Sequence, residues 1–175
     1  MAKKILYIDL DNTLVNFRAK LEGIDPAVLA QYEGRYDELP GVFALMPPVA
    51  GALEAYRELA ETFDVYILST SPWLNPSAWQ HKLEWVHLHL GIAKGTPAYK
   101  RLILSHHKDL NRGDVLVDDR PWHNGADRFN GAVIHFGDAH DLPSGRTVWP
   151  RNVVAHLSTW PDVVAHLMKE PSSGT

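Results

Sequence analysis

A four-residue apolar run, Ile5-Leu6-Tyr7-Ile8, leads directly into Asp9-Leu10-Asp11-Asn12-Thr13. Its length and its β-branched and aromatic content predict a strand, Ile5 to Asp9, buried on both faces. An open parallel sheet takes its ligands at the carboxyl ends of the strands, so Asp9 and Asp11 would face that crevice. An ordinary strand followed by an Asx turn accounts equally well for the D-x-D-x-T pattern taken alone. What favours chemistry is that suitable partners follow later in the chain.

Val65-Tyr66-Ile67-Leu68 reads as a second buried strand, ending in Ser69-Thr70-Ser71-Pro72. Leu102 to Leu104 reads as a short third, Asp114 to Val117 as a fourth that ends in Asp118-Asp119, and Ala132 to Phe136 as a fifth. Helical periodicity covers Val49 to Thr62, with Leu53, Tyr56, Leu59, Ala60 and Phe63 on one face. It recurs over Pro76 to Leu90, where Trp79, Leu83, Val86 and Leu90 make the expected core stripe and Gly91 the stop. A last helix spans Pro161 to Met168. This alternation predicts an α/β fold, a Rossmann-like doubly wound parallel sheet.

The segment 15–48 is polar and weakly periodic. It holds one short helix starting near Asp25-Pro26, and Pro40-Gly41 and Pro47-Pro48 punctuate its end. We read it as a small helical cap inserted after the first strand, with 1–14 and 49–170 as the core domain and 171–175 as a disordered tail. Apolar residues make up 45% of the 175 residues, enough for one domain with a substantial core. The net charge of −4 argues against a polymeric nucleic acid partner, which needs a basic face. No run is long enough to cross a membrane or to act as a signal peptide, so a cytoplasmic location is expected. With no cysteine, thiolate metal sites and disulfides are excluded. The ten histidines do not show zinc-ligand spacing: His87 and His89 diverge on a helix, and His106-His107 falls in a loop.

Converging carboxylates at strand ends cannot all ionise without a cation. Hard oxygen donors suit Mg²⁺, which also bridges phosphate oxygens. Asp9 could then attack phosphorus as a nucleophile, and Asp11 could protonate the leaving oxygen and later activate water. Thr70 with its neighbouring backbone N–H groups, and Lys108, would supply donors to a transferring phosphoryl group. Taken singly, Ser69 to Pro72 fits a helix cap, Lys108 a solvated loop lysine, and Asp118-Asp119 a turn; their order along the chain is what carries weight.

The D-x-D-x-T strand end resembles the nucleophile motif of the haloacid dehalogenase (HAD) superfamily. Asp9 to Phe17, then Ile67 to Pro72, then Lys108 ahead of Asp114-Val115-Leu116-Val117-Asp118-Asp119-Arg120-Pro121 resemble more narrowly the 5′(3′)-deoxyribonucleotidase family. The resemblance spans roughly residues 4 to 121. It implies a Mg²⁺-dependent hydrolase of nucleoside 5′-monophosphates that works through an aspartyl-phosphate. By the same resemblance Asp9 is the nucleophile and Asp11 the acid/base, while Thr70, Ser71 and Lys108 hold the phosphate. Mg²⁺ would be held by Asp9, Asp11 (through its main-chain carbonyl) and Asp119, with Asp118 behind them. Phe17 would pack on the nucleobase, although it could instead anchor the cap, and Arg120 would lie on the substrate side.

Two departures stand out: Asn12 replaces the family's Gly, and the cap has fewer aromatics. Trp73 and Trp122 follow catalytic strand ends and could wall the pocket or cover its rim. The rival functions are a phosphatase for a sugar phosphate or a nucleic-acid 3′-phosphate end, and a non-catalytic phosphate-binding module. The oligomeric state is left open, with a homodimer as one option.

Overall fold

The computed structural model describes residues 2–169; the expected tail at 171–175 lies outside them. The strands are β1 (Ile5–Ile8), β2 (Asp64–Ser69), β3 (Leu102–Leu104), β4 (Val115–Asp118), β5 (Ala132–Phe136) and β6 (Val153–Leu157). They form one sheet in the order β3-β2-β1-β4-β5-β6, and every neighbouring pair is parallel. This is the doubly wound order, in which the chain reverses its direction of winding between β1 and β4. The side chains of β1 alternate across the sheet: Leu6 and Ile8 enter the larger core, Tyr7 the smaller.

The helices are α1 (Phe17–Glu22), α2 (Pro26–Gln31), α3 (Ala52–Thr62), α4 (Pro76–Leu90) and α5 (Trp160–Met168). The buried apolar residues of α3, α4 and α5 all belong to the larger core. The crossovers that cover the opposite face carry only 3₁₀ turns, Lys108–Leu110 and Ala126–Arg128. Ala126 and Phe129 pack there against Tyr7, Leu68, Leu116 and Val133.

Several boundaries differ from the sequence expectation. β1 stops at Ile8, although the Asp9 amide still donates to the Val117 carbonyl at 2.9 Å. α3 begins at Ala52 rather than Val49, because Gly51 adopts φ 77° and the Val49 amide is already bonded to the Leu14 carbonyl at 2.8 Å. The strand β6 was not expected. It is an irregular edge strand, with a register shift against β5 at Val133/Ile134, and its burial does not alternate cleanly. α5 starts one residue early, at Trp160, which is fully buried and donates its indole N–H to the Thr13 carbonyl at 3.0 Å.

The largest correction concerns α4. Its buried face is Ala78, Lys82, Trp85, Val86 and Leu90, whereas Leu83 is exposed and Trp79 half-buried. Val86 and Leu90 are buried as expected, but Ala78, Lys82 and Trp85 take the places expected of Trp79 and Leu83, so the buried face is turned by less than one residue step from the expected stripe. A lysine in the middle of the true stripe hides it from a hydrophobicity pattern.

A small helical region follows β1. α2 starts where the Asp25-Pro26 signal placed it, with the Asp25 carboxylate accepting from the Ala27 amide at 2.8 Å. α1 was not expected; Asn16 caps it by accepting from the Ala19 amide at 2.9 Å. Phe17, Leu21, Val28, Leu29 and Tyr32 pack against the larger core. The following segment is tied to α4: Asn75 Nδ2 donates to the carbonyls of Asp37 and Leu39 at 2.9 and 3.0 Å. Trp85 Nε1 likewise donates to the Met46 carbonyl at 2.8 Å.

The turn after β1 explains the unusual asparagine. Asn12 has φ 54°, a left-handed conformation that glycine adopts freely and asparagine tolerates better than other side chains. We expect Asn12→Gly to change unfolding free energy by less than about 1 kcal/mol, and the β-branched Asn12→Val to cost roughly 1–2 kcal/mol or more. Urea denaturation of the two variants measures this; equal stability of both would show that the backbone does not constrain the position.

Candidate active site

Strand ends β1 and β4 are neighbours in the sheet, so the motifs they carry meet at the winding reversal. Asp9, Asp118 and Asp119 each offer a carboxylate oxygen, and these oxygens lie within 4.8 Å of one another. Lys108 joins them. It belongs to a 3₁₀ turn whose first amide donates to the Asn124 carbonyl at 2.7 Å. Gly125 lets the two loops touch: at φ 82°, a Cβ there would run into the Asp109 carboxylate. Lys108 is thus no solvated loop lysine. It is 4% exposed, and its Nζ donates to Asp9 Oδ1 at 2.8 Å and to Asp118 Oδ2 at 2.5 Å.

The four acidic residues are not equivalent. Both oxygens of Asp118 already accept, Oδ2 from Lys108 and Oδ1 from the Arg120 amide at 2.8 Å. Asp119 is held more loosely, by Asn12 Nδ2 at 3.4 Å and Arg120 Nε at 3.8 Å. The Asp11 carboxylate lies outside the three-residue cluster and turns instead to Lys82, at 2.6 Å. Lys82 is the residue that sequence reasoning missed. It is 0% exposed, and its Nζ also donates to Ser69 Oγ at 3.0 Å and to the Thr70 carbonyl at 2.5 Å. The available signal was the stripe Ala78-x-x-x-Lys82-x-x-Trp85-Val86, in which the single charge is the anomaly.

Other expected residues reach the same place in different states. Thr70 lines the acidic pocket with Asp9, Asp11, Lys108, Asp118, Asp119 and Arg120, but its hydroxyl donates to the Ser105 carbonyl at 3.0 Å. The Ser71 hydroxyl is buried with no hydrogen-bond partner. Beside this pocket opens a cavity of about 470 Å³ lined by Asp11, Phe17, Tyr36, Phe43 and Arg120. Phe17 packs on Phe43 with ring centroids 5.3 Å apart. Of the two tryptophans, Trp122 packs on Trp149 at 5.3 Å and lines a neighbouring cavity with Asp119 and His135. Trp73 is 79% exposed and meets only the edge of His106 among aromatic rings.

Burial dominates the electrostatics. It pushes the Asp9 carboxyl up to about 6; Lys108 opposes this, while Asp118 and Asp11 reinforce it. Asp119 is raised well above the ordinary carboxyl range, first by burial and then by Asp9 and Asp118. Burial would depress Lys108, but the Asp118 and Asp9 carboxylates outweigh it and hold the ammonium charged. A cluster of oxygen donors that resists ionising unless further positive charge arrives fits a hard divalent cation.

Solved structures share this architecture. YfnB from Bacillus subtilis, described as a HAD-hydrolase bound to magnesium, superposes with a TM-score of 0.59 at 12% identity, covering 97% of this chain and 100% of that one. A HAD family hydrolase from Deinococcus radiodurans R1 with bound phosphate and sodium gives 0.56 at 16% identity, covering 95% of each. At such identities the likeness concerns the fold, and the fold is that of a HAD-like hydrolase. Sequence narrows the class. Residues 24–146 match the family described as 5′ nucleotidase, deoxy (pyrimidine), cytosolic type C protein. A Vibrio phage KVP40 protein that bears the provisional name 5′(3′)-deoxyribonucleotidase is 56% identical over 135 residues, 77% of this chain and 76% of its own length. A Staphylococcus aureus Mu50 protein with the same provisional name is 25% identical over 96% of this chain and 97% of its own. The chain belongs to this 5′(3′)-deoxyribonucleotidase family of nucleotide phosphatases.

The raised carboxyls make stability depend on pH and on cations. A group whose pKa rises from 3.8 to about 6 on folding stabilises the fold fully below its unfolded pKa and ceases to do so as pH climbs past the folded one. The melting temperature of the cation-free protein is therefore expected to fall across that window. Millimolar MgCl₂ should raise it more above the window than below. A shift of the same size at both ends would count against a cation held by these carboxylates.

Proposed function

We propose that this protein is a Mg²⁺-dependent phosphatase of nucleoside 5′-monophosphates, working through an aspartyl-phosphate on Asp9. The observation that carries the reading is the meeting of Asp9, Lys108, Asp118 and Asp119 at one crevice, with Asp11 beside it and an aromatic-walled cavity next door. Asp9 and Asp119, with the Asp11 main-chain carbonyl, would hold the metal, and Asp118 would support them from behind while aligning Lys108. When bound, Mg²⁺ supplies the positive charge that lets a carboxylate approach a phosphate dianion.

An Asp9 carboxylate oxygen bonds to phosphorus as the bond to the nucleoside oxygen breaks. Asp11 gives its proton to that departing oxygen. Water then attacks the aspartyl-phosphate, Asp11 takes a proton back, and inorganic phosphate leaves with Asp9 restored. Lys108, the free Ser71 hydroxyl and the backbone around Thr70 hold the equatorial oxygens in both steps. Arg120 stands at the mouth shared by the acidic pocket and the larger cavity, where it can meet the phosphate from the nucleoside side.

Residues 15–48 act as the cap over the core formed by 1–14 and 49–170. A cavity of about 470 Å³ walled by Phe17, Phe43 and Tyr36 suits a flat base and its sugar, since aromatic faces stack on any nucleobase. That wall favours a nucleotide over a sugar phosphate, which offers no aromatic face to stack. The names of the relatives point in the same direction, toward deoxyribonucleotides, and the family's cytosolic type accords with a cytoplasmic enzyme.

A phosphate-release screen over nucleoside monophosphates and sugar phosphates tests the reading. Activity should require Mg²⁺ and be lost with EDTA. Asp9→Asn should abolish turnover, and Phe17→Ala should raise KM for nucleotides roughly 10-fold, in line with about 1–3 kcal/mol per stacked base. Sugar phosphates turned over faster than every nucleotide would overturn the substrate assignment, and activity retained in Asp9→Asn would move the nucleophile.

A further inference from the structure

Two lysines are buried at this crevice, and only Lys108 touches the proposed nucleophile. Lys82 reaches the crevice from α4, on the opposite side, and is wholly enclosed. An ammonium has three N–H donors. Those of Lys82 are matched by Asp11 Oδ2, Ser69 Oγ and the Thr70 carbonyl, at 2.6, 3.0 and 2.5 Å. None is left over for a phosphate oxygen. The face of the Phe43 ring lies 4.9 Å from the same nitrogen, adding a cation–π contact.

Two of the three acceptors stand at or just beyond the end of β2, a strand paired on both edges, so Nζ is fixed to the sheet. Asp11 is tied down less directly, by an isolated bridge to Val15. It lies past the end of β1, one residue before the left-handed Asn12, and its side chain would otherwise be free to turn about χ1 and χ2. Lys82 grips one oxygen only. The other, Oδ1, is buried and has no hydrogen-bond partner, and Asp11 lines both the acidic pocket and the aromatic cavity. A buried, unpaired carboxylate oxygen costs free energy unless something else comes to meet it.

We propose that Lys82 is a positioning residue for proton transfer: it clamps Asp11 by Oδ2 so that Oδ1 faces the oxygen that leaves phosphorus and then the water that replaces it. The two lysines thus divide the work. Lys108 serves the nucleophile and Lys82 serves the acid/base. The proposal rests on the acid/base reading of Asp11 given above.

Steady-state kinetics with a nucleoside 5′-monophosphate, inhibition by inorganic phosphate and thermal melting are measured on Lys82→Met, Asp11→Asn and the double variant. Lys82→Met should lose about 100-fold in kcat, within the range general acid–base catalysis supplies, while KM and phosphate inhibition change by less than about 3-fold. The double variant should be no slower than Asp11→Asn alone, because a residue that acts through Asp11 has nothing to position once Asp11 cannot carry a proton. It also removes both charges together, so this comparison stands even where Lys82→Met fails to fold.

Lys82→Met should slow the first turnover of an aryl phosphomonoester, whose leaving group departs unprotonated, less than that of an alkyl one. A brace between α4 and β2 would slow both alike. Unchanged kcat in Lys82→Met, a loss of phosphate affinity in step with kcat, equal slowing of both esters, or a further 10-fold loss in the double variant would each overturn the proposal. Full activity in Asp11→Asn, by contrast, would remove the acid/base reading on which the clamp depends.

Discussion

Four carboxylates withdrawn from bulk water at the junction of β1 and β4 are the constraint around which this molecule is organised. Asp9 and Asp118 share the ammonium of Lys108, Asp11 has Lys82 to itself, and Asp119 is met only at longer range by Arg120. Counted as charges, the anions outnumber the cations by one. Burial is the first cause of the upward displacement of Asp9 and Asp119, and the neighbouring carboxylates add to it in a site screened poorly by solvent. A divalent cation would turn the deficit into a surplus, and a phosphate dianion would consume it. The same imbalance that would weaken the cation-free fold would favour a metal and an anion bound together.

The surrounding fold supplies the parts from well-separated stretches of chain. Parallel pairing of β1 with β4 brings Asp9 level with Asp118 and Asp119. The 3₁₀ turn that carries Lys108 is held against the turn after β4 by the Asn124 carbonyl and by a glycine at position 125. The helix α4 does two things at once. One face delivers Lys82, and its amino-terminal end and Trp85 hold the carbonyls of Asp37, Leu39 and Met46. Phe43, the wall of the aromatic cavity, lies between those anchors and under the Lys82 ammonium. The wall of the cavity and the clamp on Asp11 therefore share one support.

Much of this was legible in the sequence wherever the signal is local. Strands buried on both faces announce themselves as short apolar runs, and five of the six strands fell where those runs stand. Proline at a helix start and Gly91 as a stop mark boundaries through the conformations they favour or forbid. The acidic strand ends, with Lys108 and Arg120 in fixed order, carried the family resemblance that the relatives support. Where signals were not local, expectation and structure part. β6 is an irregular edge strand with no clean alternation, and only the Val86 and Leu90 half of the α4 stripe was recovered, because the central member of the true stripe is charged.

What the sequence determined by itself was a parallel α/β sheet with carboxylates at its strand ends, since short apolar runs and strand-terminal motifs are properties of a few consecutive residues. Tertiary structure alone decided which cation each carboxylate receives. Nothing within the neighbourhood of Lys82 marks it as the partner of Asp11, 71 positions away. The three acceptors that make this buried ammonium stable come from the end of β2 and the turn after β1, which meet only once the sheet has formed.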